Sequence, residues 1–206
     1  MNRKFYIAAF GLAIAAYSGL SCAQFGLPSL PGKSTSGSGA AAVTAESLVK
    51  SYVGGTQQVM NADAKLLEAL GLKEQAAKEE LAAKNLTEGA TKGGLEDAAK
   101  VQTESSKALA DAMTGNKVAF TADAKKNFTQ GLGHLAGGIK SYIGMSSDVK
   151  SFKPGLGSFG GAGAAAVYIA KSLPDSITGL KDTLTRAIAF AKENKIQVPD
   201  DATSVL

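Results

Sequence analysis

The sequence predicts an all-α protein, an up-and-down bundle of about four to six helices that follows a signal peptide and a flexible linker. Apolar and small residues recur at three- and four-residue spacing from Val43 onward, which is the periodicity of helices that face a core. Glycine-containing breaks divide this pattern into six segments, and no segment is a convincing strand. We therefore assign residues 43–206 to one helical bundle domain with close Gly- and Ala-rich packing.

The first 23 residues have the pattern of a cleavable signal peptide. The positive pair Arg3–Lys4 precedes Phe5–Tyr17, an uncharged apolar stretch of 13 residues. A membrane-spanning helix needs about 20 apolar residues, so this stretch is typical of a signal-peptide core. Small side chains at Ser21 and Ala23 place the cleavage before Gln24. We expect export to the periplasm or cell surface of a bacterium.

Cys22 allows a second interpretation, in which it is the first mature residue and carries a lipid anchor. Leu20 and Ser21 precede Cys22 as they would in a lipoprotein processing box, but Gly19 stands where that box has leucine. The small-residue rule favours simple cleavage. Since Cys22 is the one cysteine of the chain, cleavage before Gln24 leaves neither a disulfide nor a thiolate metal site.

Residues 24–42 form the predicted linker, because their glycine, serine and proline content cannot bury apolar surface. Loss of residues 1–23 leaves 183 of the 206 residues and lowers the formal net charge from +4 to +2, since Arg3 and Lys4 leave with the peptide. A nearly balanced charge, without a basic patch that contains aromatic residues, predicts no nucleic-acid partner.

The first three helical segments precede Asn116. The first begins near Val43 and ends before Gly71, which is suited to a helix C-terminus. Its core stripe is broad: Ala45, Leu48, Tyr52, Gly55, Val59, Ala62, Leu66 and Ala69, widened by Val49, Val53, Met60, Leu67 and Leu70. A more polar second helix covers about Lys73–Leu86, and a third covers about Leu95–Met113.

The remaining segments contain many glycines. Phe120–Phe152 predicts a long helix whose five internal glycines, each costing up to about 1 kcal/mol, imply a kink or a closely packed neighbour. Ser158–Leu173 is too short and weakly hydrophobic for a membrane span and predicts a buried helix packed through Gly161 and Ala165. A separate last helix is expected to open at Pro174, before a short tail that begins at Pro199.

The sequence indicates no catalytic, cofactor-binding or metal-binding residue. His134 is the one histidine and lies on a polar helix face, where no second histidine or cysteine completes a site. The Asp200–Asp201 pair fits a solvated tail. The glycines of Gly155–Gly160 match a phosphate-binding pattern in letters, but no strand precedes them.

Two function classes remain. The first is a non-catalytic binding or structural interaction module of the bacterial cell envelope, which the residue 24–42 linker presents to a partner protein. The second is a carrier of an apolar ligand such as a lipid, held between helices. Small residues favour the first class, because they usually close gaps between helices. An enzyme is a third possibility, disfavoured because no paired acid and base groups were identified in the sequence.

Overall fold

The computed structural model describes residues 43–115, 119–153 and 160–206, and these residues form helices and no strand. The helices are α1 (Ala45–Ala69), α2 (Lys73–Asn85), α3 (Lys92–Gly115), α4 (Ala122–Ser151), α5 (Gly161–Glu193) and the short α6 (Asp200–Thr203). α1 is the central helix, because it packs against α2, α3, α4 and α5. The all-α prediction is confirmed. The predicted signal peptide, the linker and all but the last residue of the Gly155–Gly160 pattern lie outside the described residues.

The two ends of α1 are defined by local hydrogen bonds. At its start, the Thr44 side chain accepts the Ser47 amide N–H at 3.1 Å, and Ser47 Oγ accepts the Thr44 N–H at 3.1 Å. At its end, the Leu72 N–H donates to the Leu67 carbonyl at 2.8 Å, across Gly71 with φ +83°. This left-handed turn favours glycine and ends the helix where the sequence predicted.

α1 and α4 pack closely because glycines take the contact positions. A Cβ added to Gly138 would lie 2.5 Å from Val59 Cγ2, and one added to Gly131 would lie 2.8 Å from Leu66 Cδ2. On the α1 side, a Cβ on Gly55 would lie 2.8 Å from the Tyr142 ring. Gly131 and Gly138, two of the five α4 glycines that the sequence marked as costly, therefore admit a close neighbour, which is one of the two predicted outcomes.

Polar groups inside this α1–α4 interface are paired. The Thr56 hydroxyl donates to the Tyr52 carbonyl at 2.8 Å and lies 2.6 Å from the Tyr142 hydroxyl. The Tyr142 ring is fully buried and stacks on Tyr52, with ring centroids 5.2 Å apart and planes 8° from parallel. The interface thus combines close packing with satisfied hydrogen bonds.

The prediction of two helices on either side of Pro174 was wrong, because α5 continues through it. Proline lacks the N–H that would bond to the carbonyl four residues earlier, which costs about 3 kcal/mol inside a helix. The ring of Pro174 faces solvent, while Ile169 and Leu173 before it and Leu184 after it are at most 1 % exposed. Burial of each such side chain contributes about 1.5–3 kcal/mol, so packing on both sides outweighs the lost bond.

The N-terminal part of α5 also differs from its predicted packing. Ala165 is fully buried as expected, but Gly161 is exposed and an added Cβ there would meet no atom within 4 Å. The segment is therefore amphipathic, with exposed positions such as Ala164 and Lys171, and is not buried on all sides. Within the described residues, no helix has the length and apolar character needed to span a membrane.

Candidate functional site

Two carboxyl groups are buried where α1, α2 and α3 meet. Asp63 lies on α1 and Glu79 on α2, and both residues are 0 % exposed. α2 directs Glu79 inward because its buried positions, Ala76, Glu79 and Ala83, follow helical spacing on one face. Buried carboxyl groups are rare in proteins unless they are paired, so this cluster requires a chemical explanation.

Hydrogen bonding satisfies only one oxygen of this acidic pair. Glu79 Oε2 accepts a short hydrogen bond from the Ser105 hydroxyl of α3. Both carboxyl oxygens of Asp63 and the Oε1 atom of Glu79 have no protein hydrogen-bond partner. An ionised carboxylate in such a position loses its hydration without replacement, and that loss costs several kcal/mol.

Burial changes the acidity of both groups. Desolvation raises the pKa of Asp63 well above its ordinary value of 3.8, and the nearby charge of Glu79 raises it further. Desolvation also raises the pKa of Glu79 from 4.5 to about 7, although the Ser105 hydrogen bond opposes this change. The pair therefore holds protons that exposed carboxyl groups would already have released at neutral pH.

Helices of the described part of the chain enclose both carboxyl groups. Neither Asp63 nor Glu79 lines the four surface clefts that are described for this part of the chain. General acid or base catalysis requires a substrate within hydrogen-bond reach of the carboxyl group. A catalytic role would require such an approach to the Asp63 or Glu79 carboxyl group.

An extended surface feature lies between α3 and α5. Two adjoining clefts of about 620 and 260 Å³ share Ala99 and Thr103. We call them the α3–α5 groove. Its lining is mostly small or hydroxyl-bearing: Ala99, Gln102, Thr103, Ser106, Tyr168, Ser176, Gly179, Leu180 and Thr183, with Glu96, Lys100, Glu104 and Asp175 adding charge. The groove exposes hydrogen-bonding groups close to two helix backbones.

The structure places His134 on the exposed side of α4, in a polar cleft beside Gln58 and Lys65 of α1. The neighbouring side chains form ordinary surface contacts, such as the 3.3 Å bond from Lys65 Nζ to Gln130 Oε1. Among the described residues, no group of three or more potential metal ligands is present. The solvated position predicted for His134 agrees with this arrangement.

The tail acids lie apart from this cleft. Asp201 of α6 forms an exposed ion pair with Lys140 of α4 at 3.5 Å, in which the aspartate side chain is 81 % exposed. Such exposed pairs contribute little to stability. The sequence interpretation of Asp200–Asp201 as a solvated pair fits the exposure of both residues.

Neither Asp63 nor Glu79 was predicted from the sequence, although the sequence contains a signal for one of them. One face of α1 contains apolar residues at Val49, Val53, Met60 and Leu67. Steps of three and four residues along this face also pass through positions 56 and 63, where the apolar pattern is interrupted. Asp63 therefore occupies a core position of α1. Glu79 has no comparable signal, because α2 contains several charged residues and its buried face is mostly alanine.

The fold and the site together define an all-α helical bundle protein with an acidic pair in its core. No protein-family model, curated protein or solved structure matches the chain.

Proposed function

We propose that this protein is an exported, non-catalytic module that binds a partner protein in the bacterial cell envelope. In this proposal the mature chain begins at Gln24, and the linker of residues 24–42 presents an up-and-down bundle. The pattern of residues 1–23 supports the export step.

The observation that carries the proposal is how small residues are used inside the bundle. At Gly55, Gly131 and Gly138 the neighbouring side chain would lie within 3 Å of an added Cβ. At these three positions α1 and α4 approach each other closely. A carrier of an apolar ligand needs an internal cavity, so the packing of this pair of helices supports surface binding instead.

The α3–α5 groove is the surface best suited to a protein partner. Its small side chains allow a partner to approach the helix backbones, and its hydroxyl and amide groups provide hydrogen bonds. Thr103 lies in the groove and is exposed, with its hydroxyl donating to the Ala99 carbonyl at 2.7 Å. Thr103 is therefore a suitable position at which to test binding to the groove.

Site-specific photocrosslinking in intact cells tests the proposal. We expect a photoreactive amino acid at position Thr103 to form one discrete protein adduct. Thr185 is a matched control, because it is also an exposed helical threonine that bonds to the carbonyl four residues earlier. Adducts at neither position, or equal adducts at both, would contradict binding through the groove.

Native mass spectrometry of protein purified from its own envelope separates this proposal from the carrier alternative. We expect a polypeptide mass that begins at Gln24 and no stoichiometric lipid. Retention of one lipid per chain would favour an apolar-ligand carrier. A mass that includes an acylated Cys22 would instead show a lipid-anchored protein.

A further inference from the structure

α2 is held against the bundle by a small contact area. Of its thirteen residues, only Ala76, Glu79 and Ala83 are buried, and two of these present no more than a methyl group. Since apolar stabilisation scales with the area removed from water, α2 receives little of it. The side chain of Gln57 adds bonds from its Nε2 to the Ala83 and Leu86 carbonyls at 3.2 and 2.8 Å.

The largest side chain on the buried face of α2 is therefore ionisable. Glu79 is met by Asp63 from α1 and by the Ser105 hydroxyl from α3. No cation balances this pair, since the buried polar and charged side chains in the described part of the chain are Thr56, Asp63, Glu79 and Ser105. The flanking charged residues Lys78 and Glu80 of α2 are exposed.

We propose that α2 is a proton-operated flap, which stays closed while the Asp63–Glu79 pair holds its protons and is released as the pair ionises. An ionised carboxylate must regain water or a cation, because Asp63 and Glu79 offer each other only like charge. Outward movement of α2 admits water at a small loss of apolar contact. Gly71, with φ +83°, lies two residues before α2, and Gly89, where an added Cβ would meet no atom within 4 Å, lies four residues after it.

Since the pKa of Glu79 is about 7, we expect the release of α2 to occur near neutral pH. Release is a local event, because the α1–α4 interface contains no carboxyl group among its buried residues. The flap is independent of the α3–α5 groove as a binding surface, and either proposal can fail without the other.

Hydrogen exchange of the full mature chain, followed by mass spectrometry, tests the flap. Between about pH 5.5 and pH 8.5, and after correction for intrinsic exchange, we expect protection in residues 76–85 to fall about tenfold or more relative to α4. In Glu79→Gln and in Asp63→Asn, which imitate a protonated group, we expect most of this loss to disappear. Glu80→Gln is the matched control, since Glu80 is exposed and pairs with Lys84 at 3.8 Å.

Three results would overturn the flap. The first is α2 protection that does not change with pH, and the second is an equal loss in α2 and α4. The third is restoration of α2 protection at high pH by millimolar calcium or magnesium, which would assign the pair as a cation site. Wild-type behaviour in Glu80→Gln, together with pH-independent protection in Glu79→Gln, would support the proposal.

Discussion

The two sides of α1 differ in how their buried polar groups are hydrogen-bonded. On the α4 side, the Thr56 and Tyr142 hydroxyls lie 2.6 Å apart, inside an interface closed by glycines. On the α2 side, the carboxyl group of Asp63 is equally buried, but neither of its oxygens has a protein hydrogen-bond partner. The same helix therefore carries a satisfied interface and an unsatisfied one.

The difference shows where the bundle is rigid and where it depends on solution conditions. Neutral hydroxyl groups keep their hydrogen bonds over the whole physiological pH range. Carboxyl groups with raised pKa values contribute favourably only while they are protonated. We therefore expect the α1–α4 interface to respond to changes in packing and the α1–α2–α3 junction to respond to pH.

The largest expected effect is a fall in stability as the pH rises. The folded-state pKa of Glu79 is about 7 and its ordinary value is 4.5, so the native state binds more protons than the unfolded state between these values. The free energy of unfolding should then decrease through this window by about 3 kcal/mol, and Asp63 adds a decrease of the same sign. Urea denaturation at several pH values measures this, with Glu79→Gln as the comparison. If the wild-type protein became more stable than Glu79→Gln between pH 4.5 and pH 7, the proposed contrast between the two sides of α1 would be wrong.

Gly138→Ala should damage the tight interface. The new methyl group would lie 2.5 Å from Val59 Cγ2 and 3.3 Å from the Val59 backbone nitrogen, and overpacking of this kind typically costs about 1–3 kcal/mol. Gly144→Ala on the same helix meets no atom within 4 Å and should stabilise the protein by up to about 1 kcal/mol. Thermal unfolding of both variants tests this prediction. Equal shifts in melting temperature would contradict close packing of α1 and α4 through Gly138.

Thr56→Val should remove hydrogen bonding from the interface while keeping its shape. The Tyr142 hydroxyl would lose its bond to Thr56 inside the core, which costs about 1–3 kcal/mol. The cost should stay the same between about pH 5 and pH 8, unlike that of any change at Asp63. Denaturation of Thr56→Val at both pH values measures the loss, and an exposed Thr185→Val provides the baseline. A cost that varies strongly with pH would show that the two sides of α1 are coupled.

His134→Gln should have the smallest effect. The His134 side chain is exposed in a polar cleft, and surface substitutions usually change stability by less than about 0.5 kcal/mol. Thermal unfolding and the photocrosslinking pattern at Thr103 are the two readouts. A large change in either would give His134 a role that its position does not suggest.

Periodicity predicted the helices because they follow from local spacing and from end signals such as Gly71. It could not predict that α5 passes through Pro174, since that outcome depends on burial on both sides of the proline. The interruption of the apolar face of α1 at Asp63 could have identified one of the two buried carboxyl groups. Glu79 could not be distinguished from other α2 acids, such as Glu80, because only tertiary packing decides which of them faces α1.

The central claim is that the core acidic pair is protonated in the closed bundle. It is tested most directly by an NMR titration that follows the side-chain carboxyl carbon of Glu79, with Glu80 in the same spectrum as an exposed reference. We predict an apparent midpoint near pH 7 for Glu79, with Asp63 titrating well above 3.8. A midpoint for Glu79 at or below 4.5 would show that the carboxylate is ionised in the folded protein and would contradict the account.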